Sequence, residues 1–133
     1  MDIFIGRHSI ADLDGLKFAV LDDEQLLRGT LARAVTKAGA TVLAVNSHRY
    51  APQGVSVVAI LAESHASLHT CPEIGLAMVD VFTCGRQADP EVAVDLIIEA
   101  LAPSGVRRYT FSRGDGSPRE NAAYVVDNKP TWP

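Results

Sequence analysis

The chain has only two cysteines among its 133 residues, Cys71 and Cys84. Their separation matches neither a disulfide framework nor a Cys-x-x-Cys redox pair. It also lacks a basic surplus: 12 Lys and Arg face 16 Asp and Glu, for a net charge of −4. Basic clusters are as short as Arg107-Arg108, so no footprint for a phosphate backbone is expected and nucleic acid is excluded as a partner class. The longest apolar run, over 55–62, is interrupted by Ser56. It falls far short of the ~20 residues of a membrane-spanning helix. Nor does the opening Met-Asp-Ile-Phe-Ile-Gly-Arg contain a basic segment leading into an apolar one, so a cytoplasmic protein without a secretory signal is expected. Repeats and low-complexity segments are absent as well. What is present is an ordinary globular balance, 47% hydrophobic and 21% charged. Such a chain fits a single domain over 1–133, able to bury roughly two-thirds of its unfolded surface.

Local patterns predict the elements. Partial alternation over 3–13, ending at Asp14-Gly15, predicts a first strand. From Asp22 a helical stripe of Leu26, Leu27, Leu31, Ala34 and Val35 is opened by acidic residues and closed by Gly39. Stretches 41–50 and 55–62, joined by Ala51-Pro-Gln-Gly54, read as a hairpin. After a polar stretch, 76–83 predicts a strand, 90–101 a helix with Val92, Leu96, Ile97 and Ala100 inward, and 106–112 an edge strand. Beyond Arg113 the Gly, Pro, Asp and Asn content predicts a loosely structured or partner-packed tail. The expected fold is α/β of the α+β kind: a two-layer sandwich, one mostly antiparallel sheet with helices on one face. The uncovered sheet face makes a homodimer a reasonable expectation.

Chemistry concentrates in Leu61-Ala-Glu-Ser-His-Ala-Ser-Leu-His-Thr-Cys-Pro-Glu-Ile-Gly75 and the following Val79-Asp-Val-Phe-Thr-Cys-Gly85. Glu63, Ser64, His65, His69, Cys71, Glu73 and Cys84 supply every side-chain type used for nucleophilic and acid-base work, where a buried strand gives way to a loop. Three readings compete. Zinc on His65, His69, Cys71 and Cys84 is disfavoured, because histidines four apart on a strand sit roughly 13 Å from each other. A hydrolase with Ser64 activated by His69 and oriented by Asp80 lacks the Gly-x-Ser-x-Gly elbow. The third reading makes Ser64 and Ser67 turn residues, His65 and His69 hydrogen-bonded structural histidines, and Cys84 a small packing residue.

Taken in order, Gly6-Arg-His8, His48-Arg-Tyr50, Gly54-Val-Ser56, Glu63-Ser-His65, His69-Thr70, Pro72-Glu73 and Phe82-Thr-Cys-Gly85 resemble the short prokaryotic S-adenosylmethionine decarboxylase proenzyme family. The resemblance runs from Gly6 to about Leu101. It implies a chain that cuts itself between Glu63 and Ser64, leaving fragments 1–63 and 64–133. The Ser64 hydroxyl would attack the Glu63 carbonyl to give an ester, and β-elimination would turn Ser64 into a pyruvoyl group. An N-to-O acyl shift needs a strained, near-attack backbone, which suits a strand end. In the family pattern Ser56 bonds the oxyoxazolidine intermediate, and His69 removes the serine α-proton. The pyruvoyl cofactor then forms an imine with the substrate amine, and Cys84 returns a proton to the decarboxylated carbon. No metal or added cofactor is implied.

The resemblance also assigns substrate contacts. Glu73 matches the carboxylate that holds both ribose hydroxyls, and Tyr50 an aromatic, commonly Phe, that stacks on adenine from the partner subunit. Cys71 is a departure, standing where relatives carry an aromatic, often Trp, on the other adenine face; Ala62 replaces a frequent Ser. The activity implied is decarboxylation of S-adenosylmethionine to the aminopropyl donor for spermidine. The alternatives are the same chemistry on ornithine or arginine, or an unprocessed, non-catalytic homologue.

Overall fold

A computed structural model describes residues 5–114. The expectations for the start of the first strand at Ile3 and for the tail after Gly114 lie outside those residues. In chain order the elements are β1 (Gly6–Asp14), α1 (Phe18–Leu21), α2 (Glu24–Lys37), β2 (Val42–Arg49), β3 (Val55–Leu61), β4 (Ser64–Cys71), a short 3-10 turn (Pro72–Ile74), β5 (Leu76–Cys84), α3 (Pro90–Leu101) and β6 (Gly105–Arg113). The strands form one six-stranded sheet in the order β2-β3-β4-β5-β1-β6, and every neighbouring pair is antiparallel. The expected two-layer architecture is therefore the observed one.

Alternation along the strands makes the two faces. Val55, Val57, Ala59 and Leu61 on β3, Ala66, Leu68 and Thr70 on β4, and Ala77, Val79, Val81 and Thr83 on β5 are all buried. They form the core with α2, which packs on β2, β3 and β4, and α3, which packs on β1 and β5. The residues between them, Ser56, Val58 and Ile60, then His65, Ser67 and His69, then Met78, Asp80 and Phe82, form the other face, because successive side chains of a strand point to opposite sides. No helix of the described residues covers that face, where Val58 and Ile60 stand 39% and 43% exposed.

Both long helices are capped by an aspartate at the N-terminus. The Asp23 carboxylate accepts the Leu26 N–H at 3.1 Å, and Asp89 accepts the Glu91 and Val92 N–H groups. Gly39, at φ +100°, ends the turn after α2, and a Cβ there would lie 2.5 Å from the Gln87 carbonyl oxygen.

The helix faces differ from expectation. Leu27, Leu31, Ala34 and Val35 are buried, but Leu26 is exposed and Thr30 takes the inward position, its hydroxyl donating to the Leu26 carbonyl at 2.8 Å. Leu26 lies roughly 100° around the helix from Leu27. On α3 Ile97 is buried as expected, with Ala93, Val94 and Leu101, whereas Val92 and Ala100 are exposed and Leu96 is half-buried. That helix is apolar at nearly every position, so its few charges decide the face. Glu91, Asp95 and Glu99, spaced four apart, point away from the core, and Arg108 of β6 bonds Asp95 at 2.5 Å.

The larger correction is β4. The segment expected to be loop is a strand, paired with β3 on one side and β5 on the other. Thr70 ties it inward: its hydroxyl donates to the Leu21 carbonyl at 2.7 Å and accepts the Val55 N–H at 2.9 Å, all buried. Thr70→Val keeps the shape and strands both backbone groups. It should lower unfolding stability by about 1–3 kcal/mol, read as a lower urea midpoint with an unchanged slope.

Candidate functional site

The Glu63–Ser64 bond lies at the end of the two-residue turn Ala62-Glu63 that joins β3 to β4, since Leu61 pairs directly with Ser64. Two-residue hairpin turns normally place positive φ within the loop. Here neither Ala62 nor Glu63 has it; Ser64 does, at φ +151°. A non-glycine residue in that region carries strain of about 1–3 kcal/mol and persists only where its surroundings fix it. Three hydrogen bonds do so. The Ala62 N–H donates to the Thr41 carbonyl at 2.9 Å, the Thr41 N–H to the Glu63 carboxylate at 2.9 Å, and the Cys84 N–H to the Glu63 carbonyl oxygen at 2.8 Å. The carbonyl of the Glu63–Ser64 peptide is thus already polarised by a backbone donor from the end of β5.

Around Ser64 the open face gathers a cluster. Its Oγ lies 3.1 Å from His65 Nδ1, and His65 Nε2 lies 3.7 Å from Asp80 Oδ2. Asp80 Oδ2 also accepts from His8 Nε2 at 2.8 Å, and Asp80 Oδ1 accepts from the Ser67 hydroxyl. His8 Nδ1 in turn takes an N–H from Arg113 at 3.0 Å. Because a guanidinium only donates, that bond assigns the His8 proton to Nε2. The Arg113 guanidinium sits 4.7 Å over the Phe82 ring, and Phe82 packs against His8 and His65. Burial pushes the Asp80 carboxyl up, but the hydrogen bonds from His8 and Ser67 and the two imidazoles outweigh it and hold the group below its ordinary value. Gly6 makes room beneath, since a Cβ there would meet the Phe82 ring at 2.3 Å and the Cys84 sulfur at 3.5 Å.

A second cluster lies at the other end of β4. Ser56, paired with His69 across β3 and β4, has its Oγ 2.6 Å from His69 Nδ1 and 3.0 Å from the Tyr50 hydroxyl. The Tyr50 and His69 rings are 6.0 Å apart. Cys71 and exposed Glu73 follow at the 3-10 turn. Burial, then the Glu73 charge, raise the Cys71 thiol above its ordinary value, so it stays protonated near neutrality.

The structure therefore sorts the predicted residues into two groups. Glu63, Ser64 and Cys84 are together, and Ser56, His69, Tyr50, Cys71 and Glu73 are together. Ser64 and His69 are five residue steps apart on extended strand, roughly 16 Å. The zinc set is divided between the two ends, and a Ser64–His69 pair cannot form within one chain. Tyr50, expected from a partner subunit, shares its end with Cys71 and Glu73 of its own chain. His8, Phe82 and Arg113 were not singled out individually by the sequence reading. His65, counted among the acid-base residues and weighed as a zinc ligand, was given no role beside Ser64, because strand alternation argues against contact between adjacent residues.

The model of the family described as S-adenosylmethionine decarboxylase matches residues 7–114. The chain belongs to that family. It is 47% identical to a protein of Prochlorococcus marinus named S-adenosylmethionine decarboxylase proenzyme, over 82% of this chain and 87% of that one. A proenzyme of the same name from Methanococcus vannielii is 44% identical over 83% of this chain and 90% of its own. Among solved structures, the adenosylmethionine decarboxylase of Aquifex aeolicus superposes with a TM-score of 0.76 at 32% identity, covering 96% of this chain and 98% of that one. The similarity thus extends over nearly the whole length of each relative, and it includes the sheet as well as the sequence elements around Ser64.

Asp80 gives a pH test of the near cluster. A carboxyl held below its ordinary value near 3.8 contributes stability above that pH and loses it as pH falls through the folded-state value. Asp80→Asn should therefore be less stable than the parent at pH 7, and the gap in urea midpoint should close as pH is lowered below about 4.

Proposed function

We propose that this chain is a self-processing, pyruvoyl-dependent decarboxylase acting on S-adenosylmethionine, activated when its own Glu63–Ser64 bond breaks. The observation that carries the proposal is the strained Ser64, φ +151°, following a carbonyl that accepts the Cys84 N–H at 2.8 Å. A serine hydroxyl reaches the preceding carbonyl through a five-membered ring, so orientation and stabilisation of the developing oxyanion limit the reaction. Both are provided for at this turn. The pyruvoyl group made from Ser64 supplies the electron sink for loss of carbon dioxide. Cys84, beside it, holds the proton for the substrate carbon, while Glu73 offers two acceptor oxygens to a pair of ribose hydroxyls.

The separation of roughly 16 Å between the two clusters makes a homodimer part of the same proposal. One copy supplies Glu63, Ser64 and Cys84, and the second supplies Ser56, His69, Tyr50 and Glu73. Face-to-face packing about a two-fold axis across the strands brings opposite ends of the two sheets together. Cys71 keeps a second reading open, the same chemistry on ornithine or arginine, because a thiol offers no aromatic face for adenine.

Denaturing mass spectrometry of the purified chain should give two fragments meeting at Glu63/Ser64, the second beginning in pyruvoyl, and a Ser64→Ala chain should stay whole. An intact parent chain would refute the proposal. Co-expression tests the shared site. A His69→Asn chain should remain whole alone and be cut when paired with a Ser64→Ala chain that lends its own His69; failure to be cut would mean that each chain uses its own residues. For the substrate, carbon dioxide release should be fastest from S-adenosylmethionine. Cys71→Trp should tighten its binding by roughly 5- to 150-fold, equivalent to the ~1–3 kcal/mol of a base stacked on an aromatic ring.

A further inference from the structure

We infer that His65 is the general base that starts self-cleavage, through proton transfer between Ser64 and its own Nδ1. The inference rests on the self-processing reading above and deepens it by naming the group that makes the Ser64 hydroxyl a nucleophile. A free hydroxyl is a weak nucleophile near neutrality, so its proton needs an acceptor within hydrogen-bond reach.

The candidates around Ser64 can be eliminated in turn. His8 has its Nδ1 occupied by Arg113 and its Nε2 proton donated to Asp80, so neither nitrogen is free. His69 lies roughly 16 Å along β4 in the same chain, and its Nδ1 is engaged by Ser56. Asp80 is occupied by His8 and Ser67. His65 remains, with Nδ1 3.1 Å from the reacting oxygen. Its other nitrogen faces Asp80 Oδ2 at 3.7 Å. A carboxylate cannot donate, so it favours the tautomer with the proton on Nε2 and Nδ1 bare, and it stabilises the imidazolium formed during the step. Adjacent residues of a regular strand point to opposite faces; the unusual φ at Ser64 accompanies the exception.

The step balances as follows. The Ser64 Oγ–H bond breaks as its proton passes to His65 Nδ1, and the Oγ lone pair forms a bond to the Glu63 carbonyl carbon. The carbonyl electrons move onto the oxygen that holds the Cys84 N–H. When the intermediate collapses, the carbon–nitrogen bond breaks and Nδ1 returns the proton to the Ser64 nitrogen. The ester is left with a free amine and a neutral His65. His69, supplied by the second copy, then acts on the Ser64 α-proton in the separate elimination. The two histidines of the segment so divide the reaction between them.

Hydroxylamine tests the division because it cuts esters and leaves amides. In the full-length chain, His65→Asn keeps an acceptor where Nδ1 stood without its basicity. It should slow conversion by at least about 100-fold and remain whole in hydroxylamine, whereas His69→Asn should be cut at Glu63 under the same conditions. His65→Gln should behave as His65→Asn does, with thermal unfolding confirming that each variant is folded. The groups facing His65 are Asp80 of β5, His8 of β1 and, beyond it, Arg113 of β6, while Ile60 of β3 and Phe82 do not titrate. Parental conversion of a His65 variant, or hydroxylamine cleavage of His65→Asn as of His69→Asn, would overturn the inference. If the parent chain itself stays whole, the self-processing reading falls and takes this inference with it. If the parent is cut and His65→Asn is cut as fast, this inference alone falls.

Discussion

The rest of the structure depends on β4 being a fully paired, central strand. Held by β3 along one edge and β5 along the other, it cannot shorten or bend without breaking two ladders. It therefore acts as a ruler between Ser64 at its start and the His69, Cys71 and Glu73 group at its end. That spacing decides which reactive residues are neighbours. A segment that reads as one dense set of catalytic side chains becomes two half-sites, and each borrows its remaining members from across the sheet: His8, Asp80 and Cys84 for Ser64, Tyr50 and Ser56 for His69.

The same rigidity explains why the bond proposed to break sits where it does. Inside the ladder a residue at φ +151° would cost its neighbours their hydrogen bonds. At the hairpin turn only the Ala62-Glu63 pair must adapt, and Thr41 and Cys84 tie that pair from two sides. The local strain, about 1–3 kcal/mol, is small against what sheet and core supply together. Folding can therefore hold Ser64 in a strained geometry that an isolated peptide would not populate.

Much of this was legible in the sequence. Turn chemistry and periodicity indicated β1, α2, the β2–β3 hairpin, β5, α3 and β6, because Asp14-Gly15, Gly39 and the apolar spacing act locally. β4 was not legible: in Ser-His-Ala-Ser-Leu-His-Thr-Cys the inward residues are Ala66, Leu68 and Thr70, only one of them strongly apolar, so the alternation is muted. The inward face of α3 was hidden for the opposite reason, since apolar residues surround it and only Glu91, Asp95 and Glu99 mark the outside. At the site, family resemblance drew Glu63, Ser64, Ser56, His69, Cys84, Tyr50, Cys71 and Glu73 into one expected set. It could not reveal which share an end of the sheet, because that is set by register. Nor could it pair Ser64 with His65, because the contact depends on a backbone angle that breaks the alternation on which such a reading relies.

The uncovered face also bears on how two copies could meet there. Burying polar side chains is costly when they lose water without gaining partners. On this face the polar groups of both clusters already have partners within one chain: Asp80 in His8 and Ser67, His8 in Arg113, and Ser56 in Tyr50 and His69. Among the described residues no buried side-chain nitrogen or oxygen lacks a partner. A second copy laid on the sheet would cover these networks without having to complete them, and the half-exposed Val58 and Ile60 would supply apolar contact. The polarity that makes the face look like surface is therefore compatible with its being an interface, and chemistry and association can share one side of the sheet.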